Sequence, residues 1–218
     1  MRKFYITIIA LLFFLSCSRK QEKTNEEIYQ EEFYSVLNEL IQIRLPETAV
    51  IYIETTPVYK TWFGPLKLTD YLLSNIPPPP PPPPPPGQIH YDKDFFQTQI
   101  EKRHLDSSEA NYMYRSIDSS RILQIDSYRV EFPTISKLKF KEIFYKKDKT
   151  VSYETLKKLY GKRCYIMVST PVFNSKYSKA ILSISYCCGP GQQEGFEFIL
   201  EKKNEKWKLI EEIGTWKK

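Results

Sequence analysis

The sequence predicts an α+β fold in which a C-terminal antiparallel β-meander packs with two or three helices. Three observations carry this expectation. Downstream of Thr24, the residues Tyr29, Phe33, Val36, Leu37, Leu40 and Ile41 recur at helical intervals, and Thr24 and Glu27 have capping-box spacing. Between Cys164 and Ile213, four strand-like runs are joined by short turn-prone segments. The composition, 41% hydrophobic and 15% aromatic, is rich enough to bury a core and excludes general disorder.

The chain opens with Arg2 and Lys3, a nearly unbroken apolar run from Phe4 to Leu15, and Ser16-Cys17. That run is well short of the ~20 residues a helix needs to cross a hydrocarbon core, so a cleaved export signal is expected over residues 1–16. The ending Phe14-Leu15-Ser16-Cys17 resembles the signals of bacterial lipoproteins, with Phe14 standing where leucine is most usual. The resemblance implies that the Cys17 thiol carries diacylglycerol and its freed amine a third acyl chain such as palmitate. Each buried methylene adds ~0.8 kcal/mol, so two or three chains anchor stably. Membrane attachment through Cys17 and a place in the bacterial cell envelope are therefore expected. Ser18 lacks the acidic character of the simplest inner-membrane retention signal, which favours the outer membrane.

Losing Arg2 and Lys3 with the leader takes the 32 basic side chains to 30 against 26 acidic ones, a formal +4. A charge this mild, on an envelope protein, excludes nucleic acid as the expected partner.

Residues 17–24 are polar and read as a tether, followed by a helix from about Asn25 to Arg44 that Pro46 stops. Ala49 to Thr56 reads as a strand within an N-terminal helix and strand region, 25–76, whose helix is expected to dock on the downstream domain. Ten consecutive prolines, Pro77 to Pro86, then precede Gly87. Proline fixes φ and disfavours helix at its predecessor, so 77–87 is expected to be a polyproline II spacer, about 31 Å over the ten prolines at ~3.1 Å per residue.

The main α+β domain is expected over 88–218. Asp92 is a suitable N-cap for a helix to about Arg103, with Phe95, Phe96 and Ile100 as its apolar set, and His104 to Ser120 reads as loop or weak helix. Arg121 to Phe132 reads as a strand with Ile122, Ile125 and Val130 as its apolar contributions, and Lys137 to Tyr145 as another. A helix from about Ser152 to Tyr160 should set Leu156, Leu159 and Tyr160 on one face and end at Gly161.

Cys164 to Phe173 and Ala180 to Cys188 form a predicted hairpin. Matching apolar faces sets Ile166 opposite Tyr186, Val168 opposite Ile184 and Thr170 opposite Leu182, and so Cys164 opposite Cys188. Directly opposed residues lie within disulfide reach, and an exported protein meets an oxidising compartment. A Cys164–Cys188 bridge with Cys187 free on the other face is one reading, and three small buried thiols the other. Gly195 to Lys203 and Lys206 to Ile213 form the second hairpin about Asn204-Glu205, with Leu200 opposite Leu209 and Trp207 near the turn.

The stretches Ser169-Thr170-Pro171-Val172-Phe173-Asn174, Ser178-Lys179-Ala180, Cys188-Gly189-Pro190, Glu194-Gly195 and Lys203-Asn204-Glu205-Lys206-Trp207 together resemble the C-terminal part of a loose group of bacterial lipoproteins. Those carry a Cys-Gly-x-x-Cys-Gly-x-Gly turn with a Lys-Asn-Gly-Lys-Trp hairpin after it. The resemblance covers about residues 165–216 and implies no activity. Here Gln192 and Gln193 replace the second Cys-Gly, and Glu205 replaces the turn glycine, so that turn's local disulfide is impossible.

No catalytic residue, metal ligand or cofactor is expected. His90 and His104 are fourteen residues apart, which fits neither a helical ligand pair nor a zinc finger. No Gly-x-Ser-x-Gly elbow is present, and Gly189-Pro190-Gly191 lacks the Gly-Lys-Ser/Thr of a phosphate loop. Vicinal Cys187-Cys188 is not a Cys-x-x-Cys pair. The candidate partner surface is Lys137, Lys139, Lys141, Phe144, Lys146 and Lys147, with Phe140 and Tyr145 among them, because lysines beside aromatics suit anionic head groups or glycans. A lysine-guarded strand edge is the plainer reading of the same run. An envelope binding or scaffolding protein, acting on an envelope protein or glycan, is therefore expected. The contrasting class is a hydrolase or thiol enzyme with a site assembled from scattered residues.

Overall fold

A computed structural model of the chain describes residues 23–45, 49–60, 89–118, 121–145 and 149–217. The leader, Cys17, residues 18–22 of the tether and the proline run lie outside the described residues. The chain comprises two compact units, Met1–Glu31 and Glu32–Lys218.

In the first unit, helix α1 (Asn25–Arg44) begins as its sequence predicts. The Thr24 N–H donates to Glu27 Oε2 at 2.7 Å and the Glu27 N–H donates to Thr24 Oγ1 at 3.2 Å, which closes the capping box. The bond from the Thr24 backbone holds the Glu27 carboxyl below its usual range.

The second unit is built on a seven-stranded sheet and continues α1 from Glu32. Its strands are β1 (Ala49–Tyr52), β4 (Thr134–Ile135), β5 (Cys164–Val168), β6 (Val172–Phe173), β7 (Lys179–Gly189), β8 (Gln192–Lys203) and β9 (Lys206–Lys217). They run β4-β1-β5-β7-β8-β9, with β6 paired to β7. From β5 onward the pairing is antiparallel, whereas β1 is parallel to both of its neighbours. Strands β2 (Val58–Lys60) and β3 (Ile89–Tyr91) form a small parallel pair beside it. With helices α2 (Lys93–Glu101), α3 (Ser107–Ser116), α4 (Lys137–Phe144) and α5 (Lys149–Tyr160), the described residues hold five helices with the mostly antiparallel sheet, the α+β fold the sequence predicts.

Alternation along β7 sets the layers, because successive side chains leave a strand on opposite faces. Ala180, Leu182, Ile184 and Tyr186 share one face, which is tied to α1. There Lys202 Nζ meets Glu32 Oε1 at 2.6 Å and Trp207 Nε1 donates to Glu32 Oε2 at 3.0 Å. Phe33, Val36, Leu37 and Leu40 of that helix are fully buried. On the other face, Ile181 packs with Phe96 of α2 and Ala110 and Met113 of α3. Farther along that face, Val50 and Tyr165 pack with Phe144 of α4 and Leu156 of α5.

The hairpin registers hold at Ile166 with Tyr186, Val168 with Ile184 and Leu200 with Leu209. The pairing of Thr170 with Leu182 does not form. Ser169 still pairs with Ser183, its N–H donating to the Ser183 carbonyl at 2.8 Å; the chain leaves β7 at Thr170–Pro171, where Thr170 turns its hydroxyl to Thr55 at 2.9 Å, and resumes one residue out of step with Val172 opposite Ile181. Proline supplies no ladder donor, so Pro171 is a natural place for the slip. The tight turn at Asn204-Glu205 has φ of 52° and 61°, a left-handed pair that glycine would enter more easily.

Three further expectations are corrected. Arg121–Phe132 is not a strand: it meets the chain beside β1 only about Gln124, after which Asp126 accepts the Tyr128 N–H at 2.9 Å in a turn; Ile125 and Val130 are buried and Ile122 is exposed. Lys137–Tyr145 is a helix, because Ser136 caps it by accepting the Lys139 N–H at 3.3 Å and Phe140, Ile143 and Phe144 fall on one helical face. His104–Ser120 contains the well-formed α3, whose capping box pairs Asp106 with Glu109. Within α5, Leu156 is fully buried and Leu159 is 49% exposed. Gly161 ends that helix at φ +67°.

Candidate functional site

Where α4 and α5 meet the sheet, the packing leaves an open cleft of about 590 Å³. It is lined by Phe140 and Phe144 of α4, Tyr145, Tyr153 of α5, Tyr165 of β5, and Pro190, Gly191 and Gln193 at the β7–β8 turn. Helical spacing puts Phe140 and Phe144 one turn apart, with ring centroids 4.7 Å apart and nearly parallel planes. Tyr165 stands edge-on to both, at 4.9 Å from Phe140 and 4.7 Å from Phe144. Tyr153 meets Phe144 edge-on at 5.2 Å and lies roughly parallel to Tyr165 at 6.2 Å. Edge-to-face pairs at these distances each stabilise by about 0.5–1.5 kcal/mol beyond burial, so the wall is preorganised.

The opposite wall is the turn Gly189-Pro190-Gly191-Gln192. Gly191, at φ +70°, takes the left-handed position that a turn with proline before it requires. The bulge between Cys187 and Gly189 rotates the strand just before it. A disulfide joins Cys164 to Cys188 immediately beneath and ties the end of β7 to the start of β5.

Cys187 is a buried free thiol on the same face as Tyr165, with which it pairs directly across the strands. Side-chain hydrogen bonds link the Tyr165 hydroxyl to Cys187 and to Tyr153. Burial, reinforced by Cys187, pushes the Tyr165 phenol far above its ordinary range and Tyr153 up to about 12. The Cys187 thiol is likewise raised by burial. These hydroxyls therefore stay neutral donors at ordinary pH, and the thiol stays protonated and a poor nucleophile.

None of the eight lining residues carries a formal charge. The cleft presents ring faces, phenol hydroxyls and one amide, a set that recognises an uncharged ligand with apolar flats and a few polar groups.

The lysine-and-aromatic run is divided by this geometry. Phe144, together with Phe140 and Tyr145, enters the cleft, while Lys137 reaches Glu54 at 3.1 Å and Lys139 reaches Glu142 at 2.9 Å. Lys141 is exposed. Lys146 and Lys147 lie outside the described residues. The Gly189-Pro190-Gly191 segment is a turn that shapes the cleft. His104 sits against Glu211 and Gln99 at 3.1 and 3.2 Å, far along the chain from the cleft lining. Sequence spacing does not bring Tyr153, Tyr165, Pro190 and Gln193 to the α4 aromatics, and only the odd-numbered face of β5 and β7 hints at their meeting. Among the described residues, no cluster of His, Cys, Asp and Glu is arranged to hold a metal ion, and no helix is long and apolar enough to cross a membrane.

Comparison with protein-family models, with curated proteins and with solved structures gives no match.

Proposed function

We propose that this is an exported bacterial lipoprotein, anchored through Cys17 and most favourably placed in the outer membrane, that acts by binding rather than catalysis. Its ligand is an uncharged envelope glycan held in the aromatic cleft. The observation that carries the reading is the uncharged lining: Phe140, Phe144, Tyr153 and Tyr165 offer faces to the C–H side of a sugar ring, and Gln193 and the phenols offer hydrogen bonds. The volume lies inside the range of roughly 300–1,000 Å³ typical of small-molecule sites. The protonated, buried Cys187 speaks against thiol chemistry at the same place. The resemblance of residues 165–216 to bacterial lipoproteins agrees with the leader but names no ligand.

The test is calorimetric titration with neutral di- to tetrasaccharides, N-acetylglucosamine oligomers among them, against the parent protein and a Phe144→Ala, Tyr153→Ala double variant. Loss of two ring contacts should weaken binding by roughly tenfold or more. If no neutral sugar binds, or the variant binds as well as the parent, the glycan reading is wrong.

A further inference from the structure

The charge of this chain is concentrated in one element pair. Residues 137–163, which make up α4, α5 and their flanks, hold ten basic and three acidic side chains, net +7, whereas the whole chain is +6. The rest of the sequence is therefore net −1, and the basic character belongs to this helical hairpin alone.

The same hairpin carries large apolar side chains turned outward. Leu138 is 81% exposed, Tyr145 78%, Leu159 49% and Val151 48%. On α4, Leu138 and Lys141 fall on the side opposite the core residues Phe140, Ile143 and Phe144, and Tyr145, just past the helix end, stands exposed at the rim of the cleft. On α5, Val151 and Lys158 lie away from buried Leu156, and Leu159, at the edge of the buried face, is half exposed. The two helices pack on each other through Phe144 and Tyr153. Isolated exposed leucines need no explanation, but four large apolar side chains amid most of a protein's excess lysine are a different case.

Apolar side chains at the tips of a lysine-rich helical surface match the interface of a bilayer. The apolar tips enter the headgroup and acyl boundary, and the ammonium groups meet the phosphates. We infer that α4 and α5 form a docking face for an anionic phospholipid bilayer. The proposal takes from the envelope reading only the nearness of a membrane: a chain lipidated at Cys17 has six residues from the anchor to Lys23, a reach of roughly 20 Å to the first described residue. Docking through this face would leave Phe140 and Phe144 of the aromatic cleft, on the other side of α4, turned away from the bilayer surface.

The experiment uses the unlipidated chain from Ser18 onward, which retains every described residue, so that no acyl anchor contributes. Co-sedimentation is measured with vesicles of phosphatidylcholine alone and with about one third phosphatidylglycerol, at roughly 0.05 M and 0.5 M salt. At low salt, binding to the anionic vesicles should exceed binding to neutral ones by at least about tenfold, and high salt should remove most of the difference. Lys141→Glu, Lys157→Glu and Lys158→Glu together should abolish the preference, and Leu138→Ser with Val151→Ser should weaken binding about threefold or more at unchanged charge. Equal binding to both vesicle types, or binding indifferent to salt, overturns the proposal without needing any variant to fold. Tight retention on soluble polygalacturonate with no vesicle binding overturns it too, in favour of an acidic glycan. None of these outcomes bears on the neutral-sugar titration, so the two readings fail separately.

Discussion

Glu197 shows what a single residue contributes to the behaviour of the fold. It lies on β8 between Ser183 and Ile213, and burial, with the nearby Asp92 charge adding to it, raises its carboxyl to about 7. In the unfolded chain it would titrate near 4.5, so the folded state binds the extra proton between these values. Stability from this group is therefore present below about pH 4.5 and is lost as pH rises to about 7, a change on the order of 3 kcal/mol. Urea unfolding at several pH values should show that decline for the parent, and Glu197→Gln should flatten it and leave the protein more stable at pH 8. An unchanged slope in the variant would place the titration elsewhere.

Among the elements, those legible in the sequence have ends set by local chemistry. Thr24 with Glu27, Asp92 and Gly161 each mark a helix end through a bond or a dihedral confined to a few residues, and all three are seen. Asp106 and Glu109 carry the same signal for α3, obscured by the polarity of the surrounding run. The α4 segment misleads because Lys137, Lys139 and Lys141 alternate like a strand, while Ser136 and the spacing of Phe140, Ile143 and Phe144 decide for a helix. Two elements are also held by contacts that can be removed singly. Glu32 accepts both Trp207 Nε1 and Lys202 Nζ, and although burial alone would lower it, Glu32 raises the Lys202 ammonium above its usual range. Glu32→Ala leaves a buried indole N–H unpaired and the Lys202 ammonium with only the exposed Glu205 at 3.3 Å, and should cost about 2–3 kcal/mol in chemical denaturation, with Glu32→Gln costing about half as much. Cys164→Ser with Cys188→Ser opens a 24-residue separation and should cost about 2–4 kcal/mol, a fall in Tm of roughly 5–15 °C.

For the whole molecule, three of the eight residues that line the candidate site stand out in the sequence. Phe140, Phe144 and Tyr145 stand out from the lysines around them, but Tyr153, Tyr165 and the Pro190 turn reach the same cleft from separate elements through sheet register and helix packing. No local pattern encodes that meeting. The proposed lipid anchor is tested at this scale by Cys17→Ala, which should move the protein from the membrane fraction to the soluble one. Full retention in the membrane fraction would rule out lipidation at Cys17 as the anchor.

The claim that the aromatic cleft is the binding site is tested most directly by NMR of side-chain aromatic protons during titration with a neutral oligosaccharide. The account predicts shifts concentrated on Phe140, Phe144, Tyr145, Tyr153 and Tyr165, with Trp207 and Tyr34 unmoved. Saturable shifts centred on Trp207 or Tyr34, or none at any aromatic residue, would contradict it.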